Sequence, residues 1–329
     1  MKKILLIYFL ITINFVAYNQ VIKGTILDKD TKNPVFSAAV YFNGTSVGTL
    51  TDAAGNFRLD IMKFGSMPLS VSAVGYYSVT LPKFSTTEPN IIYMNPRTFE
   101  LDEVIVNDKS HARERKYNLI VFRNVFLGTT ENSYYNKITN ENDIRFTNSS
   151  DKDTLKAFAI KPVLIDNKAL GYKITYYLDK FEFNMQDSIF LINGEITFME
   201  YPTAGNSKIN SFTRNRKSAY LGSRMHFFRS LWFNELDSAG YKLRSSSGDT
   251  LGYKNIVDEY GQHSKYLKYH GKVTLYYKPA GKESLMIFLR DSIQFDPNGF
   301  FEPNGIRWEG EMASQRIGDM LPYDYSPDQ

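Results

Sequence analysis

The 329-residue sequence predicts a mainly β protein, an N-terminal β-sandwich followed by a second antiparallel β-rich domain with one or two packed helices. Three observations predict it. Short strand-like runs separated by glycine- and aspartate-bearing turns fill residues 21 to about 94. Period-two alternation with tight-turn dipeptides dominates from about residue 155 onward. Aromatic residues make up 15% of the chain, nearly all Tyr and Phe, which suits pleated, half-buried strands.

Residues 1–19 read as a secretory signal. Lys2 and Lys3 precede an apolar run from Ile4 to Phe15, and Ala17-Tyr18-Asn19 offers a cleavage site before Gln20. The run is shorter than the roughly twenty residues a spanning helix needs, so no transmembrane span is expected once it is removed. Without it, 37 basic residues face 35 acidic ones, near +2. That balance argues against nucleic acid and against an anionic membrane surface as partners. Cysteine is absent, which excludes disulfides and a lipoprotein acylation site and leaves stability to apolar burial. About 310 remaining residues can fill two cores of ordinary size.

The first module, residues 20–106, carries V-I-K-G-T-I-L-D, then A-V-Y-F-N-G-T-S-V-G-T-L-T-D-A-A-G-N-F-R-L, then S-A-V-G-Y-Y. Gly48 to Asp52 runs along a strand into a tight turn, where Asp52 accepts turn N–H groups and Gly55 supplies positive φ. Phe57 then returns to the core. Gly75 is expected where a Cβ before Tyr76 would be awkward. With Gly24, Asp28, Pro34, Val40, Gly44, Gly48, Thr51, Asp52, Gly55, Phe57, Gly75 and Tyr76 in register, this stretch resembles the carboxypeptidase-regulatory-like family, a transthyretin-like β-sandwich of about seven strands. Leu101-Asp102-Glu103-Val104-Ile105-Val106 is similar to the stretch after this module at the head of TonB-dependent outer-membrane receptors. The resemblance implies a noncatalytic module. The receptors continue into a large barrel of roughly twenty spans, more than the ~220 residues left here can build. The chain looks like the shorter envelope proteins that carry the module ahead of another domain.

Residues 107–116, N-D-K-S-H-A-R-E-R-K, are polar and aperiodic and read as a linker; a β-rich domain is expected over 117–329. Leu119, Ile120, Phe122, Val125 and Phe126 recur at helical spacing from Tyr117 and stop at Gly128, a good C-cap. Leu155 to Ile160 reads as a strand ended by Pro162. Tyr172, Ile174, Tyr176 and Leu178 alternate cleanly on one face of the next. Ser188–Ile192 and Glu195–Met199 around Asn193-Gly194 predict a two-residue hairpin, with further hairpins at His270-Gly271, Pro279-Ala280-Gly281, Asn298-Gly299 and Asn304-Gly305.

Between Lys217 and Leu236, Leu221, Met225, Phe228, Trp232 and Leu236 predict one continuous amphipathic helix closed by Gly240. Arg214, Arg216, Lys217, Arg224 and Arg229 punctuate it, the pattern of a membrane-surface or single-strand-binding helix. Glu235, Asp237 and the width of the stripe favour core packing instead. The same region holds Tyr220, Gly222, Ser223, His226, Phe227, Arg229 and Leu231, similar to a segment that recurs in the envelope proteins this chain resembles. The tail from Gly318 to Pro327, with Pro322 and Pro327, is expected to lie extended on the domain surface.

Candidate chemistry is sparse. His111-Ala112-Arg113-Glu114 with His226, 112 residues after Glu114, imitates a His-x-x-Glu…His zinc set. It sits in a charged linker ahead of hairpins rather than at a strand end in an α/β domain, and we reject it. His263 and His270 lie seven residues apart on strand-like sequence and are not expected to share a ligand. Asp28, Asp30 and Asn33 suggest a calcium loop but lack its twelfth-position Glu. Ser245-Ser246-Ser247-Gly248-Asp249 is loop material with no nucleophile elbow. No catalytic, cofactor-binding or metal-binding residue is therefore assigned, and no cofactor is expected. The expectation is a noncatalytic exported envelope protein at the periplasm or outer-membrane periphery of a Gram-negative bacterium. It would be a binding or adaptor module for an outer-membrane protein, a glycan or another copy of itself. The alternative is a glycan or peptide hydrolase with its site in the second domain, since paired carboxylates leave no spacing rule in sequence.

Overall fold

The computed structural model describes residues 21–61, 64–65, 67–97, 109–148, 153–159, 161–202, 206–260 and 264–327. The expected signal, the Leu101–Val106 stretch and His263 lie outside them. The architecture is mainly β, arranged around three apolar cores.

The first core is the sandwich. Strands β1 (Val21–Asp28), β2 (Ala39–Phe42), β3 (Gly48–Leu50), β4 (Asn56–Asp60), β5 (Leu69–Ser72), β6 (Val79–Leu81) and β7 (Asn90–Met94) form two sheets, ordered β4-β1-β7 and β3-β2-β5-β6. Alternate residues of each strand turn inward, so Ile22, Ile26, Val40, Phe42, Phe57 and Val71 bury together. The Asp52 turn forms as its sequence demands: Asp52 Oδ1 accepts the N–H of Ala54 at 2.9 Å and of Asn56 at 2.8 Å, and Gly55 has φ +75°. Gly75 has φ +85°, where a side chain is strained, as expected, although no atom lies within 4 Å of where a Cβ would sit.

Helix α1 (Lys109–Leu127) begins ahead of Tyr117 and takes in most of the polar segment expected as linker. Its Phe122 and Phe126 stack at 4.8 Å and meet Phe181 and Tyr176 at 4.7 and 5.0 Å. Those partners belong to a sheet of β8 (Asn136–Ile138), β9 (Ile144–Asn148), β10 (Thr154–Ala159), β11 (Val163–Asn167), β12 (Tyr172–Asn184) and β13 (Phe190–Glu200). The long β12 is its spine. It pairs with β11 along its first half, with β10 along its second, and with β13 on its other side. Tyr172, Ile174, Tyr176 and Leu178 are all buried, as the alternation predicts.

The Asn193-Gly194 hairpin is a correction. Both residues lie inside an unbroken β13, paired with Lys180 and Leu178 across a bulge in β12, and the turn falls instead between Asn184 and Ile189. A continuous ladder with β12 outweighs the local turn signal. Gly194 is there for closeness: a Cβ would sit 2.3 Å from the Tyr177 carbonyl oxygen and 2.5 Å from the Tyr176 ring.

The single long helix is a second correction. The chain forms α3 (Asn206–Tyr220) and α4 (Arg224–Trp232), broken at Gly222 with φ +80° and restarted by Ser223, whose hydroxyl caps the His226 N–H at 3.0 Å. Leu221 consequently falls off the apolar stripe and is exposed. Phe227, Phe228 and Leu231 of α4 fill the third core. Around them lie β14 (Tyr241–Ser245), β15 (Thr250–Leu251), α5 (Tyr253–Ile256), β16 (Val257–Tyr260), β17 (Ser264–Leu267), β18 (Lys272–Tyr277), β19 (Lys282–Phe288), β20 (Ile293–Phe295), β21 (Ile306–Gly310) and α6 (Glu311–Ser314). The strands form one sheet ordered β15-β14-β18-β19-β21 and another ordered β16-β17-β20. Pro279-Ala280-Gly281 does join paired strands, β18 to β19, and Asn298-Gly299 closes a tight turn between Phe295 and Phe301. His270-Gly271 and Asn304-Gly305 instead carry the chain from one sheet to the other.

The tail departs from expectation as well. Ile317, Asp319 and Leu321 are buried rather than laid on the surface, Ile317 and Leu321 in the core around α1, and Tyr323 packs against both that core and the sandwich core.

Candidate functional site

Of the residues singled out as imitating chemistry, His226, Asp28, Ser245 and Asp249 are hydrogen-bonded within the fold. His226 Nδ1 accepts the Gly222 N–H at 3.1 Å and bonds the Tyr241 hydroxyl at 2.9 Å, among the rings of Tyr220, Tyr241 and Tyr277. Burial, and secondarily Arg229, pushes its pKa down to about 4. Its partner in the zinc imitation, Glu114, is an exposed residue of α1, and the side chain of His111 is outside what is described. Asp28 Oδ1 accepts the N–H groups of Asp30 and Thr31 while Oδ2 accepts the Tyr76 hydroxyl, which makes this carboxylate the anchor of a turn and holds its pKa low. Ser245 and Asp249 close the loop around Gly248 by backbone and hydroxyl bonds. His270 lies exposed beside Asp291.

Two features stand out among the described residues. The first arises from how the sandwich is held. The outer face of β2 and β5 is consumed by the rest of the chain: Tyr41 stacks on Tyr177 at 5.7 Å, and Glu195 of β13 accepts the hydroxyls of Ser70 at 2.8 Å and Thr80 at 3.0 Å. Burial raises the Glu195 pKa above the ordinary carboxylate value. The loop after β2 adds to the edge of β13, with Gly44 N–H donating to the Ile196 carbonyl at 2.8 Å and Phe198 N–H to the Thr45 carbonyl at 3.1 Å. From its other side the tail grips the same loop, Tyr323 N–H to the Gly44 carbonyl at 2.7 Å and Asp324 to Ser46.

Among the described residues β7 pairs only with β1, so one edge is unpaired. Along β7, Ile92 and Met94 point inward while Ile91 and Tyr93 point out, 62% and 44% exposed, with the Lys32 ammonium 4.4 Å above the Tyr93 ring.

The second feature is a groove of about 340 Å³ where the cores of α1 and α4 meet. Its lining converges from the α2 turn (Glu131–Tyr134), α3, the Gly222 break, the start of β19, α6 and the tail. Asp319, buried, accepts the Thr130 hydroxyl at 2.8 Å and the Asn132 amide at 2.9 Å. Burial raises its pKa against those two donors. Lys282 and Glu311 pair at 3.3 Å in the lining, to which Tyr135 adds an exposed ring. Asp319 and Glu195 escape a reading of the sequence because each acquires its setting from chain more than 100 residues away.

Residues 22–106 match the family described as CarboxypepD_reg-like domain. The TonB-dependent receptor SusC of Bacteroides thetaiotaomicron is 38% identical over 96 residues, which is 29% of this chain and 9% of the receptor. The chain thus spans a small fraction of the length of the relative it matches. Among solved structures, a 9R-lipoxygenase from Cyanothece PCC8801 aligns with 65% of this chain and 48% of its own at 12% identity and a TM-score of 0.18, too slight a likeness to bear on the fold.

Proposed function

We propose that this chain, whose N-terminal module is a carboxypeptidase-regulatory-like domain related to the one in a TonB-dependent receptor, is a noncatalytic binding or adaptor protein of a Gram-negative envelope. The signal-like N-terminus supports export. One observation carries the reading. The sandwich is bonded to the rest of the chain through its β3-β2-β5-β6 sheet, while among the described residues the outer edge of β7 in its β4-β1-β7 sheet has no strand partner and Ile91 and Tyr93 stand outward. A platform fixed on one side and open on the other suits strand addition, in which a partner's extended segment pairs with the free edge and its side chains meet Ile91 and Tyr93. We favour an envelope protein as partner, since an unpaired strand edge offers peptide groups to peptide groups; a glycan or a second copy of the chain are the other readings.

The test is co-purification from an outer-membrane extract with the wild-type chain and with Ile91→Asp, alongside the oligomeric state of the pure protein. A partner retained by wild type and lost from the variant is expected. A monomer that retains nothing, or retains the same proteins after the substitution, contradicts the proposal.

The second reading, a glycan or peptide hydrolase, draws on the groove. Asp319, with a pKa raised by burial, has the character of a general acid, and Glu131 and Glu311 line the same space. Turnover of any polymer by wild type, abolished in Asp319→Asn or Glu131→Gln, would establish it.

A further inference from the structure

We infer that the groove around Asp319 is a binding site for a short neutral saccharide, a second site sharing no residue with the β4-β1-β7 face and independent of what binds there. At about 340 Å³ the groove falls within the range of small-molecule sites, but its lining is mainly polar, which excludes an apolar guest.

Charge narrows the guest further. Among the described residues of the lining, Glu131, Glu311 and Asp319 outnumber the one lysine, Lys282, which is itself engaged by Glu311. An anionic ligand such as a phosphate would meet net negative charge there, so it is disfavoured. Between a cation and a neutral polyol, the amides and hydroxyls decide. One Asn132 N–H goes to Asp319, one Asn215 N–H to the Ala169 carbonyl and the Ser314 hydroxyl to the Glu311 carbonyl. The second amide N–H of each asparagine, Gln315 Nε2 and the Ser218 hydroxyl bring donors beside the carboxylate acceptors. An ammonium offers only donors and would leave the amide N–H groups desolvated against it. A sugar hydroxyl donates and accepts at once and matches both.

Asp319 suits the same guest. Thr130 and Asn132 each donate to one oxygen of its carboxylate, and each oxygen keeps a second lone pair that a hydroxyl group can use. Tyr135, more than half exposed, supplies a flat ring in the lining on which the C–H face of a pyranose can stack.

The experiment is calorimetric titration of the full chain with glucose, galactose, mannose, N-acetylglucosamine and their linear trimers, with 1,4-diaminobutane and inorganic phosphate as the charged comparisons. Saturable binding of at least one neutral saccharide is expected, undisturbed by phosphate or the diamine. Tyr135→Ala and Ser218→Lys, both on the surface, should weaken it about tenfold or more, with thermal unfolding unchanged to show that the fold persists. Binding of the diamine in preference to every saccharide, no saturable binding in the panel, or binding indifferent to both substitutions would each overturn the inference. Hydrolysis of a bound trimer would uphold this site while contradicting the noncatalytic reading of the protein.

Discussion

Arg229 on α4 donates from Nη2 to the Tyr323 carbonyl at 3.0 Å, so the second half of the fold holds the tail by its backbone. Nη1 reaches the Tyr325 carbonyl at 2.9 Å and Nε the Asn298 carbonyl at 2.9 Å, with the guanidinium over the Tyr220 ring. Because Tyr323 also donates to Gly44 in the sandwich, one arginine ties the third core, the tail and the first module together. The basic residues on this helix face therefore include one whose donors are spent on carbonyl oxygens inside the protein.

Arg229→Ala should destabilise the protein by about 3 kcal/mol, since charge-assisted bonds to several carbonyls are lost together. Arg229→Lys should recover only part of this, because an ammonium cannot span the three acceptors with a rigid fork. Denaturant unfolding measures both. Proteolysis of the tail near Tyr325 should accelerate in the alanine variant; equal rates in wild type and variant would show that the clamp is immaterial.

Gly194→Ala should cost about 2–3 kcal/mol, because the new methyl meets a backbone oxygen and a buried ring rather than open turn space. Asn193→Ala, exposed on the same strand, should stay within about 0.5 kcal/mol. Were the pair a hairpin turn, Asn193 would matter and Gly194 would fail through its φ instead.

His226 gives the fold an acid-sensitive window. Its pKa is about 4 in the folded state and near 6.5 when unfolded, so the folded protein binds the proton less readily. The stability this contributes is present above pH 6.5 and is lost as pH falls from 6.5 through 4, up to about 3 kcal/mol. The loss of stability between pH 7.5 and 4, measured by denaturant unfolding, should be smaller in His226→Gln than in wild type. An unchanged pH slope in the variant removes the imidazole from the explanation.

Glu195 works in the opposite direction. Its folded pKa is raised above 4.5 chiefly by burial, so the protonated form is the better folded one and the charge costs stability as pH rises through that shifted value. Glu195→Gln, which removes the charge and keeps an acceptor for Ser70 or Thr80, should be neutral or stabilising at pH 7. Glu195→Ala leaves both hydroxyls without their acceptor and should cost about 1–2 kcal/mol. The reverse ranking, measured by thermal unfolding, would mean the ionised carboxylate itself holds the seam.

The sandwich was legible because its determinants are local. Asp52 and Gly55 sit in one turn, and the alternation in β1 and β7 sorts buried from exposed residues without reference to distant chain. Tyr172 to Leu178 could be read for the same reason. Asn193-Gly194 misled because a two-residue signal competes with eleven paired positions along β12 and loses. The stripe from Leu221 to Leu236 misled because spacing does not register the αL residue at Gly222, which reorients everything after it. The groove had no signature at all: Asp319, Thr130 and Asn132 meet only after the tail folds back across nearly 190 residues.

The most direct test of the adaptor reading places a photo-activated cross-linker at Tyr93 on the outward face of β7 and irradiates the protein in its native envelope. A single dominant adduct with an envelope protein, abolished by Ile91→Asp, is the predicted result. An unmodified chain, or a smear of adducts equally strong in the Ile91→Asp variant, would contradict it.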